Sequence, residues 1–67
     1  MNWDQIKSHW KEVSETIKLT WGKFSEDDLT AIDGQRDRLA GLMQKRYGYA
    51  KIEAENKVDQ FARRLRV

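Results

Sequence analysis

Residues 2–22 read NWDQIKSHWKEVSETIKLTWG, and their spacing decides the fold class. Apolar residues recur at Trp3, Ile6, Trp10, Val13, Ile17 and Trp21, at intervals of 3, 4, 3, 4 and 4. That rhythm holds one face of an α-helix apolar for about five turns. Asn2 supplies an N-cap oxygen, and Gln5, three residues on, is placed to reach back and complete a capping box. Gly22 follows the last apolar residue, where a left-handed C′ residue is expected, and Phe24 is then placed to fold back onto the final turn.

Working outward, Ser25 is an N-cap for a second helix, and Glu26, Asp27 and Asp28 place negative charge at the positive end of its dipole. This helix is short, with Leu29 and Ile32 inward. Asp33-Gly34 bends or ends it, so helices two and three are either separate or one kinked rod. The third helix spans about Gln35 to Tyr47, with Leu39, Leu42, Met43 and Tyr47 on its inner stripe. Gly41 lies inside it at a cost of about 1 kcal/mol relative to alanine, which points either to simple tolerance or, the favoured reading, to close approach by another helix. Gly48 stops the third helix. The fourth spans roughly Ala50 to Arg66, with Ala54, Val58, Phe61 and Leu65 at helical spacing and Arg63, Arg64 and Arg66 at the negative dipole end.

The chain has no proline, no strand-like alternation and short connections, which force neighbouring helices to fold back or cross. The expectation is an all-α fold, one domain over residues 1–67. Four helices form two roughly orthogonally packed hairpins, because the second helix is so short. The expected core is Trp10, Val13, Ile17, Trp21, Leu29, Ile32, Leu39, Leu42, Tyr47, Ala54, Val58 and Phe61, with Trp3 partly exposed.

Sixty-seven residues lie near the lower limit for an unaided hydrophobic core, and the chain has no cysteine to staple it. Charged residues make up 36% of the chain, but three Trp, two Phe and two Tyr supply enough buried area to fold it. No stretch is long and apolar enough to span a bilayer, and Met1-Asn2-Trp3-Asp4 lacks the pattern of a signal peptide, so a cytoplasmic location is expected. Charge is split. Residues 1–34 hold four Lys against seven Asp/Glu, a net of −3, and residues 35–67 hold nine Lys/Arg against four Asp/Glu, a net of +5. Such a split suits either anionic partners or attraction between the two halves.

The residue inventory argues against catalysis. His9 is the single histidine, so with no cysteine a zinc site has no ligand set. Asp27 and Asp28 are adjacent on a helix and do not face each other, and they fail the spacing of a calcium loop. The glycines form no phosphate loop. No enzyme, cofactor or metal is expected. The basic residues Arg36, Arg38, Lys45, Arg46, Lys51, Lys57, Arg63, Arg64 and Arg66 are interleaved with Asp37, Glu53, Glu55 and Asp59. A salt-bridged skin explains this better than a phosphate-binding face.

The run Trp21-Gly22-Lys23-Phe24-Ser25-Glu26-Asp27-Asp28-Leu29 resembles the signature of the CsbD-like family of small bacterial stress proteins, typically Trp-Gly-Lys-Leu-Thr-Asp-Asp-Asp-Leu. Trp10, Gly34, Arg36, Asp37, Leu39, Gly41, Gln44, Arg46, Tyr47, Gly48, Lys51, Ala54 and Glu55 also fall where the family has them. The resemblance covers roughly residues 3–60. It departs from the family where Glu15-Thr16-Ile17-Lys18 replaces a Lys-Gly pair, and where Ala50 replaces a Ser or Thr cap, leaving Glu53 without its capping partner. The resemblance implies an orthogonal-hairpin helical bundle, similar in outline to SAM-domain-like folds, and a cytoplasmic stress-response role; it supplies no mechanism, because the family has no established activity, cofactor or catalytic residue.

The leading expectation is a non-catalytic stress-response protein acting by surface contact with another protein, through Arg36, Asp37, Lys45 and Arg46. Arg36 or Asp37 also suits a bridge between helices. The rivals are nucleic-acid binding by the basic C-terminal half, and a membrane or desiccation protectant using the Trp3–Trp21 stripe.

Overall fold

Two capping boxes set where the first and third helices begin. In the computed structural model, which describes residues 2–65, the Asn2 side chain accepts the Gln5 N–H at 2.8 Å and Gln5 Oε1 accepts the Asn2 N–H at 3.0 Å. Helix α1 (Trp3–Ser8) follows. The second box joins Ser25 and Asp28 and opens α3 (Glu26–Ile32). Between them lies α2 (Trp10–Thr20), and after them come α4 (Arg36–Tyr47) and α5 (Lys51–Arg64). Neither Gln35, before α4, nor Ala50, before α5, makes a side-chain cap, and Ala50 has no polar side chain with which to make one. Arg66 lies outside the described residues.

Among the described residues the protein is all-α, with five helices packed into a globule whose Cα radius of gyration is 10.7 Å. A compact chain of this length comes to about 11 Å, so the high charge content does not swell it. The stripe expected to form one helix is two. His9 (φ −110°, ψ 29°) separates α1 from α2, while its N–H donates to the Gln5 and Ile6 carbonyls and its own carbonyl accepts from Glu12 and Val13. Its backbone hydrogen bonding is thus kept through the break.

Helix α1 packs closely on Gly34. A Cβ there would stand 2.7 Å from Lys7 Cα, so α1 crosses the α3–α4 turn almost backbone to backbone. Asp33 (φ 47°) and Gly34 (φ 73°) both take left-handed backbone, and this makes α3 and α4 separate helices. Gly22, expected to be left-handed, is not; α2 instead ends through an extended Trp21 (φ −124°, ψ 84°).

Ile6, Val13 and Ile17 from α1 and α2 meet Leu29 and Ile32 from α3, Leu39, Ala40 and Met43 from α4, and Ala54, Val58, Phe61 and Ala62 from α5. Phe24 plugs the centre from the α2–α3 loop at 2% exposure. Trp3, Trp10, Trp21, Leu42, Tyr47, Tyr49 and Leu65 are partly buried around this cluster. The indoles sit at the rim because each carries a donor that needs a partner. Trp10 Nε1–H donates to the Leu29 carbonyl at 3.0 Å, which ties α2 to α3.

Gly41 overturns its expectation. A Cβ there would meet nothing within 4 Å among the described residues, so no helix packs directly onto it. Leu39, Ala40 and Met43 take the inner side of α4 and leave Gly41 facing out. Gly34→Ala should therefore destabilise the protein by about 2 kcal/mol or more, through left-handed strain plus the clash with Lys7. Gly41→Ala should stabilise it by up to about 1 kcal/mol. Urea denaturation of the two variants beside the parent checks both signs.

Candidate functional site

Local sequence places the charged groups, and the α3–α4 and α4–α5 packing brings them together. Asp28 is the third residue of α3, where it completes the Ser25 capping box. Its backbone N–H donates to Ser25 Oγ at 3.1 Å, and its Oδ2 accepts the Ser25 N–H at 3.1 Å. The same carboxylate receives a two-pronged bond from Arg46 in the last turn of α4, Nε to Oδ2 at 3.0 Å and Nη2 to Oδ1 at 2.8 Å. The side chain of Asp28 is 10% exposed and that of Arg46 is 45% exposed. The Arg46 bonds, then the Ser25 N–H, hold the Asp28 carboxyl down at about 2 despite burial, and the Arg46 guanidinium is raised in turn. The acids at the start of α3 are thus more than dipole compensation.

A second fork joins α4 to α5. Arg36 Nε donates to Asp59 Oδ1 at 2.7 Å and Nη2 to Oδ2 at 3.0 Å, with Glu55 at 3.6 Å and Asp37 at 3.5 Å from Nη1. Hydrogen bonding to Asp59 raises the Arg36 guanidinium, and Arg36 lowers the Asp59 carboxyl. A Lys18–Glu26 ion pair joins α2 to α3 across the loop. An aromatic chain runs behind these pairs. Phe24 meets Trp21 and Tyr47 edge-on, Trp21 meets Phe61 at 5.0 Å, and Tyr49 stacks on Tyr47 with Lys57 above it. The Tyr47 hydroxyl accepts the Lys23 N–H at 3.3 Å, which fastens the α2–α3 loop.

Of the four sequence-selected contact residues, the structure engages Arg36 and Arg46 in internal forks, sets the exposed Asp37 beside Arg36, and leaves Lys45 outside. The Asp37 side chain is 95% exposed, and Lys45 is exposed with no ionic partner among the described residues. Both stand four residues from Gly41, one on each side. With Arg38 and Gln44 they form the outer face of α4. A shallow groove lined by Ala31, Arg38, Gly41, Leu42, Gln44 and Lys45 runs along it, and Arg38 closes its α3 edge by donating to the Ala31 carbonyl at 3.0 Å. Sequence reasoning read Gly41 as a packing contact; the signal it lacked was the helical phase, which sets Gly41 about 200° from Leu39.

His9 is exposed at the α1–α2 break. Among the described residues no group of three or more His, Cys, Asp or Glu is gathered to hold a metal ion, and no helix is long and apolar enough to cross a membrane.

These features define a class: small, all-helical and braced by arginine–carboxylate forks, with a charged helix face turned outward. The CsbD-like family matches residues 4–61, and the chain belongs to this stress-response family. UPF0337 protein YjbJ of Escherichia coli O6:H1 is 45% identical over 64 residues, covering 96% of this chain and 93% of the relative. UPF0337 protein ECA0631 of Pectobacterium atrosepticum is 50% identical over 58 residues, covering 87% and 84%. UPF0337 protein pc0632 of Protochlamydia amoebophila is 44% identical over 61 residues, covering 91% and 92%.

The depressed Asp28 carboxyl fixes the sign of an acid response. A carboxyl held below its unfolded value contributes stability that is complete above about pH 4 and is lost as pH falls through about 2. Asp28→Asn should remove that contribution, so its stability should fall less steeply than the parent's between those two pH values. Thermal unfolding followed by circular dichroism across this window measures the difference.

Proposed function

We propose that the chain is a non-catalytic cytoplasmic stress-response protein that acts by surface contact with another protein, through the outer face of α4. One observation carries the reading. Gly41 weakens α4 by about 1 kcal/mol, and among the described residues no atom lies within 4 Å of where its Cβ would stand. A bare backbone flanked by the open charges Asp37 and Lys45 is suited to an incoming surface that approaches closely and is aligned by charge. Arg36 and Arg46 serve this face from behind, by fixing α4 against α5 and α3.

Nucleic-acid binding gains less support, because Arg36 and Arg46 are already spent on carboxylates and Lys57 lies over the Tyr49 ring. The lipid-binding reading is weakened because Trp10 and Trp21 are engaged with Leu29, Phe24 and Phe61.

The test is capture by tagged protein from stressed cells, with the parent compared against the double variant Asp37→Lys/Lys45→Asp. The parent should retain a defined partner that the double variant loses, while the double variant keeps the helical circular-dichroism spectrum of a folded chain and melts somewhat lower, because both exchanged charges oppose the α4 dipole. Identical capture by both proteins would refute the α4 face as the contact surface. Steeply salt-dependent binding to duplex or single-stranded nucleic acid by both would instead move the function to the basic half.

A further inference from the structure

The outer face of α4 is complementary to itself. Asp37, Gly41 and Lys45 are spaced at i, i+4 and i+8, so they lie along one ridge of the helix. An acid stands at one end, a base at the other, and a residue without a side chain at the midpoint. Asp37 and Lys45 are exposed, and Gly41 has open space above it. When two helices pack with these i±4 ridges alongside each other, their axes cross at about 50°, the commonest crossing class. With the second helix reversed, Asp37 of one copy meets Lys45 of the other at both ends, and the two Gly41 residues meet at the crossing point.

We propose that a second copy of this chain docks on this ridge, giving a two-fold dimer across α4. An isologous contact needs a patch that complements its own rotated image, and Asp37–Gly41–Lys45 meets that condition. Gly41 lets the two backbones approach further than any other residue at the crossing would allow. Leu42 and Ala31, which line the groove beside Gly41, supply the apolar part of the contact. Arg38 follows Asp37 and lines the same groove as Lys45, so in the reversed arrangement the partner's Lys45 also comes beside a cation, which weakens the contact. The contact is small and rimmed by charge, which makes the dimer weak and transient. The inference rests on the outer face of α4 being a contact surface, and it names the partner.

The experiment uses sedimentation equilibrium of the full chain from about 10 μM to about 1 mM, where weak association becomes measurable. The parent should move from monomer to dimer over that range. Asp37→Lys and Lys45→Asp, each alone, bring like charges together at both ends and should weaken the dimer about tenfold or more. An equimolar mixture of the two single variants should associate again, because each then supplies the charge the other lacks. Gly41→Leu should abolish the dimer while keeping the helix content and melting temperature of a folded chain, since open space receives the side chain. A parent that stays monomeric throughout, a mixture that does not recover, or a Gly41→Leu variant that associates like the parent would each overturn the dimer. The double variant used above carries both charges exchanged and so keeps the self-complementary pattern. If it fails to capture the cellular partner while the parent is monomeric, the contact-surface reading survives and self-association does not.

Discussion

Asp28 makes the arrangement of the helices possible, because a single carboxylate serves both the start of one helix and the end of another. Its Oδ2 accepts from the Ser25 N–H and from Arg46 Nε, and its Oδ1 accepts from Arg46 Nη2. A buried charge is tolerated only when paired and hydrogen-bonded on most sides, and Asp28 satisfies that condition with partners from two elements. The capping half orients α3 relative to the loop before it, and the arginine half then determines how α4 lies against α3. From there the constraint passes through the left-handed Asp33-Gly34 turn to Lys7, whose backbone the turn contacts. Helix α1 is placed by a carboxylate it never touches.

The second Arg–carboxylate fork works differently. Arg36 and Asp59 are about one-third exposed, so solvent screens their attraction and the pair adds little stability. Its use is directional. A guanidinium gripping both oxygens fixes the rotation of α5 about its own axis, which points Ala54, Val58 and Phe61 at the core. The apolar core itself is thin, and its large central residue, Phe24, comes from a loop. Trp21, Tyr47 and the Lys23 N–H bond to the Tyr47 hydroxyl hold that loop in place. Packing and polar pinning therefore depend on each other at the α2–α3 connection.

Local features were legible in the sequence. The Asn2/Gln5 box, the Ser25 cap, the inward phases of Val13, Ile17, Leu29, Ile32, Leu39 and Val58, and the uncapped Ala50 are all written within four residues of where they act. Ser25 and Asp28 also have capping-box spacing, a signal present but read only as dipole compensation. Features that depend on distant residues were not legible. The close approach at Gly34 depends on Lys7 from α1, and the burial of Asp28 answers to Arg46. Gly34 ends α3 as expected, but the close approach read at Gly41 falls at Gly34 instead: only the fold decides which bare backbone faces a neighbour. For the candidate site, the charges themselves were identifiable, but their division into two braced arginines and two open residues required knowing where Asp28 and Asp59 lie.

The uncapped start of α5 has a dynamic consequence. Its first turn has no side chain to satisfy the free N–H groups at Ala50, and it carries Ile52 at 73% exposure, so little burial holds it closed. Farther along, Val58 and Phe61 are in the core and Asp59 is gripped by Arg36. Opening of this helix is therefore graded along its length, with residues 50–53 unwinding and rewinding while the remainder stays docked. Amide protons there exchange through small local fluctuations, whereas those near Val58 wait for the whole molecule to open. The link after Gly48 is accordingly the point at which a protease would first find extended chain.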